Sequence, residues 1–218
     1  LGGRTYSAIL PMGSLSYLLT PSTNLYLAAG RGMDTPTLNQ IKYGCSDASC
    51  STVAYTPVFL DASTTNQYEV GIKQKIPGIA SISVAIFQAD SQKEIMVLKN
   101  ISGKSTYTNA NQTRRQGIEL AGQFKLPYDF GATLSYTYLM AKVVDDYQLY
   151  TGSRISAGSY IPGVPKQKIF GDLYWRKPDQ TIDVGVELLS VSGMVANDTN
   201  SAGTNGYTVI NGRIALKQ

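Results

Sequence analysis

The sequence predicts an all-β chain, a segment of an antiparallel transmembrane β-barrel. Three observations carry this: apolar and polar residues alternate with a period of two, the alternating runs are about ten residues or longer, and tight turns alternate with long polar loops. In residues 131–140, Ala132, Leu134, Tyr136, Tyr138 and Met140 share one parity, while Thr133, Ser135 and Thr137 take the other. Successive strand side chains point to opposite faces, so one face of this run is apolar and the other wet. A helix would need apolar residues three and four apart.

About nine strands follow from this pattern. The first two, 6–20 and 24–33, meet at Pro21-Ser22-Thr23, and a long polar stretch, 33–66, leads to the third, 66–76. There Tyr68, Val70, Ile72 and Ile76 oppose Glu69, Lys73 and Lys75. Pro77-Gly78 turns the chain into the fourth strand, 80–98, and the region 100–106 reads as a further long loop. The fifth, 105–126, sets Ile118 and Leu120 against Glu119 and ends at Pro127-Tyr128-Asp129. After the sixth, 131–147, the stretch 144–159 reads as a long loop. In the seventh, 158–176, Ile169, Gly171, Leu173 and Trp175 oppose Lys168, Asp172 and Arg176. Lys177-Pro178-Asp179-Gln180 leads to the eighth, 181–195, where Ile182, Val184, Val186 and Leu188 oppose Asp183 and Glu187. A loop over 193–205 precedes the ninth, 206–217, in which Ile210, Ile214 and Leu216 oppose Arg213.

If neighbouring strands are antiparallel, the short turns all fall at one end and the long loops at the other, as in bacterial outer-membrane barrels. Lys or Arg facing lipid near the midplane costs about 2–4 kcal/mol, and the central windows above place no charge on the apolar parity. A soluble β-sandwich also alternates, with its apolar face inside, and parity alone does not separate the two. Strand length, one-sided loops and the aromatics Tyr128, Tyr174 and Trp175 near turns favour the membrane.

Composition agrees. Lys and Arg number 19 against 15 Asp and Glu, a net charge of +4, and the basic residues are scattered rather than gathered in a stripe, so nucleic-acid binding has no support. Tyr at 15 and Gly at 21 residues, with 16% charged residues, suit strands and turns at an apolar–aqueous boundary. The mean hydropathy of -0.10 is compatible with spanning strands, which need only alternate residues apolar. With no His, the chain has no Ser-His or Cys-His pair, no imidazole metal ligand and no His general base, so an enzyme is the least favoured reading and no cofactor or metal is expected. Gly103-Lys104-Ser105 ends like a phosphate-binding loop, but Leu98 stands where the first Gly belongs. Cys45 and Cys50 enclose four residues, a spacing that excludes a Cys-x-x-Cys site and favours a small loop disulfide over two free thiols, provided the compartment is oxidising.

Specific strings narrow this further. Asn24-Leu25-Tyr26-Leu27-Ala28-Ala29-Gly30-Arg31-Gly32-Met33-Asp34-Thr35-Pro36-Thr37 resembles the strand-and-loop signature of TonB-dependent outer-membrane receptors. Tyr68-Glu69-Val70-Gly71-Ile72-Lys73, Thr113-Arg114-Arg115-Gln116-Gly117-Ile118-Glu119-Leu120, Ile161-Pro162-Gly163-Val164-Pro165 and Gly206-Tyr207-Thr208-Val209-Ile210-Asn211 follow in the family's order. Each string is weak alone; their collinearity is specific, and the YncD-type branch is the most similar. The resemblance implies a barrel of roughly 22 strands plugged by an N-terminal domain. It also implies uptake of a ferric siderophore or similar large cofactor, driven by the TonB complex through the plug region, in the outer membrane of a Gram-negative bacterium. Residues 1–218 then read as a partial barrel domain, lipid-embedded, with the plug absent.

On that reading Glu69, Lys73, Arg115 and Glu119 form a charged wall facing the lumen, with generic solvation of a wet lumen the alternative for each. Ligand contacts would come from Tyr43, Tyr55, Tyr147, Tyr150 and Arg154 in the extracellular loops, which offer aromatic faces and positive charge to an anionic chelate. A passive porin and a soluble secreted adhesive β-domain are the other readings.

Overall fold

A computed structural model describes residues 4–46, 50–55, 57–148 and 154–216. Nine strands form a single antiparallel sheet: β1 (Met12–Thr20), β2 (Thr23–Asp34), β5 (Ser63–Ile76), β6 (Ala80–Ile101), β7 (Lys104–Lys125), β8 (Phe130–Val143), β11 (Gln167–Arg176), β12 (Ile182–Val191) and β15 (Tyr207–Leu216). Spatial order follows chain order, so every step is a hairpin to the next neighbour. Three two-stranded ribbons decorate the long connections: β3 (Gly44–Cys45) with β4 (Val53–Ala54), β9 (Tyr147–Gln148) with β10 (Arg154–Ile155), and β13 (Met194–Val195) with β14 (Gly203–Thr204). The short helix α1 (Leu38–Lys42) opens the first long loop, its Thr37 and Gln40 forming a capping box. No helix among the described residues is long and apolar enough to cross a membrane, which says nothing about crossing by strands.

The tight turns have the chemistry their backbones need. Ile79 N–H bonds back to Ile76 C=O across Pro77 and Gly78, with Gly78 at φ 73°, a geometry that Pro followed by Gly supplies without strain. Gln180 N–H closes on Lys177 C=O across Pro178 and Asp179.

Register aligns the apolar parity of all nine strands on one face. Leu27, Val70, Ile86, Ile118 and Tyr138 are successive cross-strand partners, as are Leu25, Ile72, Val84, Leu120, Tyr136 and Ile169. Toward the other edge Leu134, Gly171, Leu188 and Ile210 continue the face. None of the described residues covers it: Leu27 is 53% exposed, Ile86 55% and Ile210 67%. A soluble sandwich would pack a second sheet here. A one-layer sheet with a bare apolar face fits lipid.

Three expectations from the sequence are corrected. Residues 100–106 are not a long loop: β6 and β7 are 22 residues each and run to a two-residue turn at Ser102 and Gly103, both at positive φ, as hairpin turns of this kind require. Strand positions past the lipid need no apolar parity, so the pattern fades although pairing continues to Ile101 and Lys104. The strand expected over 158–176 begins only at Gln167, because Pro162 and Pro165 lack the N–H a ladder needs; Tyr160 makes one isolated bridge to Lys142. Likewise β1 starts at Met12, just after Pro11.

The small core lies on the polar face, at the loop end. Ala141, Val143, Ile155 and Ile161 are buried together against Met96, Tyr147 and Val164, so the 144–166 loop folds over β8 and β6. The first long loop is tied to the β6–β7 hairpin: Asn109 pairs its side-chain amide with the backbone of Asp61, and Lys99 donates to the Cys50 carbonyl at 2.8 Å.

Candidate functional site

Glu69, Lys73, Arg115 and Glu119 all lie on the polar face, opposite the bare apolar one. The Tyr26 hydroxyl donates to Glu69 Oε1 at 2.7 Å, and Lys73 Nζ sits 4.9 Å from the centre of the Tyr26 ring, so Tyr26 joins two of the four into one cluster. Arg115 instead makes a bidentate pair with Glu94, at 2.8 and 2.6 Å, and Thr113 donates to the same carboxylate. Lys93, at φ 56°, precedes Glu94 and turns this even-numbered side chain onto the polar face. Glu119 pairs across the ladder with Ala85 and Thr137.

A larger ionic array on the same face escaped sequence reading. Arg213 reaches Asp172 at 2.8 Å, Glu187 at 3.0 Å and Asp183 at 3.4 Å, while Arg176 holds Asp183 from the other side at 2.8 Å. Parity had placed these five on one face, but only register reveals that Arg213 lies opposite Gly185, whose missing side chain makes room for the guanidinium. The array ties β11, β12 and β15 together above the short-turn end.

The loop residues form two groups. Tyr43 and Tyr55 meet, ring centres 4.8 Å apart and tilted at 60°. Lys42 lies 5.1 and 4.9 Å from the two rings, and Lys104, beside the hairpin tip, lies 5.8 Å from Tyr43. The Lys42 ammonium beside Tyr55 holds that phenol below its ordinary value. Cys45 and Cys50 are joined by a disulfide in the same loop, next to the β3–β4 ribbon. Lys42 was adjacent to Tyr43 in sequence and could have been included; Lys104 could not, because it arrives from a different hairpin.

The second group is less open. Tyr147 is half-buried, its hydroxyl 3.8 Å from Met96 Sδ, and burial with Asp198 and Glu94 nearby pushes its phenol up to about 12. Arg154 is exposed and paired with Asp146, whose other oxygen accepts from Ala157 N–H. The Ala157 N–H, and after it the Arg154 guanidinium, hold the Asp146 carboxyl below its ordinary value. Tyr150 lies outside the described residues.

A single antiparallel sheet with a bare apolar face, an ion-paired polar face, tight turns at one end and elaborate loops at the other is the wall of a transmembrane β-barrel. The chain belongs to the TonB dependent receptor-like, beta-barrel family, whose model matches residues 1–217. Solved structures agree in fold. The ferric yersiniabactin uptake receptor FyuA of Yersinia pestis is similar at TM-score 0.70 and 15% identity, over 95% of this chain and 29% of that one. The copper transporter OprC is similar at TM-score 0.70 and 16% identity, over 94% and 30%. The siderophore receptor PiuA of Acinetobacter baumannii is similar at TM-score 0.69 and 17% identity, over 93% and 28%. The chain thus spans less than a third of the length of each of these three neighbours. The family and these neighbours are transport receptors rather than enzymes.

Proposed function

We propose that this chain is barrel wall of an outer-membrane receptor for active uptake of a scarce anionic chelate, a ferric siderophore or similar large cofactor. Its apolar face lies in the lipid of a Gram-negative outer membrane. Glu69, Lys73, Arg115 and Glu119 line the lumen, and the energy-coupling TonB contact is made through a plug region outside this chain. The observation that carries the ligand reading is the meeting of Tyr43 and Tyr55 with Lys42 and Lys104 at the loop end, where flat aromatic faces and two cations suit a large anion. The half-buried Tyr147 and the Asp146-paired Arg154 have less free surface to offer, and support a positioning role for their loop.

The test uses the intact receptor and a panel of ferric catecholate and hydroxamate chelates. Replacing Tyr43, Tyr55 and Lys104 together by Ala is expected to weaken binding of the recognised chelate by about tenfold or more. Unchanged affinity for every chelate that the unsubstituted receptor binds would remove these loops from recognition.

A further inference from the structure

Backbone register holds two tyrosines of the first long loop against each other. In the β3–β4 ribbon Gly44 pairs with Ala54 and Cys45 with Val53. One step further along the same ladder, Tyr43 falls opposite Tyr55. Residues opposite one another in an antiparallel pair have Cβ atoms about 5 Å apart, close enough for their rings to touch. The ring centres are 4.8 Å apart, and the 60° tilt turns an edge of one ring toward the other instead of stacking them flat. The Cys45–Cys50 disulfide closes the chain between the two tyrosines, so the ladder that sets the rings is itself covalently tied.

Both rings are open to solvent, Tyr55 at 69% exposure and Tyr43 in part. Lys42 and the Tyr43 hydroxyl, with Lys104 adding to the field, hold the Tyr55 phenol below its ordinary value. A phenolate gives up an electron more readily than a phenol. The chain carries 15 tyrosines, and among the described residues this is the pair whose rings meet. Tyr128 is the contrast: 85% exposed at the short-turn end, it has no ring beside it among the described residues.

We propose that Tyr43 and Tyr55 are an oxidative cross-linking site, joined through the ring carbons ortho to their hydroxyls when hydrogen peroxide acts through a one-electron relay such as a haem peroxidase. Each phenol loses one electron and its hydroxyl proton, leaving a phenoxyl radical whose spin is shared onto the ortho carbons. The two radicals pair in a single carbon–carbon bond, and the hydrogen on each bonded carbon moves to the oxygen of its own ring, restoring two phenols. The two electrons and two protons released reduce one hydrogen peroxide to two waters. The bond closes the first loop a second time, in a form that thiols do not reverse. The inference stands on the geometry of the pair and holds whether or not the loop takes a chelate.

The test exposes the intact protein in detergent, at high dilution, to a peroxidase and hydrogen peroxide. Cysteines are then reduced and blocked, and tryptic peptides are read by mass spectrometry together with the blue fluorescence of dityrosine. The peptide that carries both Tyr43 and Tyr55 is expected two hydrogens lighter, with its internal link in about tenfold or greater excess over all products joined at Tyr128, because the adjacent ring acts as a high local concentration. Tyr43→Phe and Tyr55→Phe should each abolish that link; both keep a ring in place, and unchanged electrophoretic mobility of unheated samples shows that the barrel wall is intact. The proposal is overturned if the two tyrosines stay unjoined while Tyr128 is oxidised, if the link survives either substitution, or if the products join separate molecules instead of one chain. Chelate binding by the untreated protein, measured alongside, reports separately on recognition by the loop.

Discussion

The Tyr26 ring lies flat over Gly71, its cross-strand partner, so closely that a methyl group at Gly71 would stand 2.6 Å from the ring carbons. Tyr174 covers Gly131 in the same way. These glycines fill no turn. They are gaps on the polar face into which an aromatic ring folds down along the sheet, and at Gly71 the folded ring delivers its hydroxyl to Glu69.

Replacing Gly71 by Ala should therefore displace the ring, break the Glu69 bond and destabilise the sheet by about 1–3 kcal/mol. Tyr26→Ala should cost stability too, and the double variant should lose less than the sum of the two. Urea unfolding of the protein in detergent micelles, followed by electrophoretic mobility of unheated samples, reads all three; full additivity would mean that ring and glycine act separately.

Arg115→Ala leaves the Glu94 carboxylate with Thr113 alone on a half-buried face. A loss of about 1–3 kcal/mol is expected, short of a fully buried pair because water reaches both partners. Removing both charges with Arg115→Met and Glu94→Leu should recover most of it. The same unfolding assay checks this, and a double variant weaker than the single one would show that the pair matters beyond its own charges.

The disulfide closes a ring with a sequence separation of 5. Replacing Cys45 and Cys50 by Ser should release about 2 kcal/mol of loop-closure entropy to the opened state. Because the ring sits in a loop docked on the hairpin through Lys99, the effect should stay local. Hydrogen exchange is expected to rise over residues 44–46 and 50–54 while β5 and β8 keep their protection.

Asp179, in the turn between β11 and β12, is held down to about 2 by Lys177, at 2.7 Å, and by the Thr181 hydroxyl and N–H. A depressed carboxyl stabilises the fold only while ionised. Its contribution is complete above the ordinary value of 3.8 and is lost as pH falls through about 2. A carbon-detected NMR titration should find Asp179 changing near that pH, and Lys177→Ala should move the transition upward.

Legibility in the sequence followed the lipid. Where a strand crosses the apolar belt, as at Val70, Ile86 and Ile118, the period of two is enforced and all nine strands could be read. Beyond the belt the constraint vanishes: Asn100, Ser102, Thr106 and Thr108 look like loop although the hairpin around them is continuous. Parity groups the polar-face charges on one side of the sheet, yet their partners depend on register, which is why Glu94 and the Arg213 array went unseen. In the loops, Tyr43 and Tyr55 are twelve positions apart and meet because the β3–β4 ribbon folds the intervening chain back.

At about 3.3 Å per residue, the dozen hairpin positions past Asp90 reach on the order of 40 Å along the strand beyond the apolar belt. On the outer-membrane reading, the turn at Ser102 and Gly103 then stands far outside the bilayer, where an antibody can reach it. Substitutions there should alter surface recognition of the cell while leaving the barrel beneath untouched.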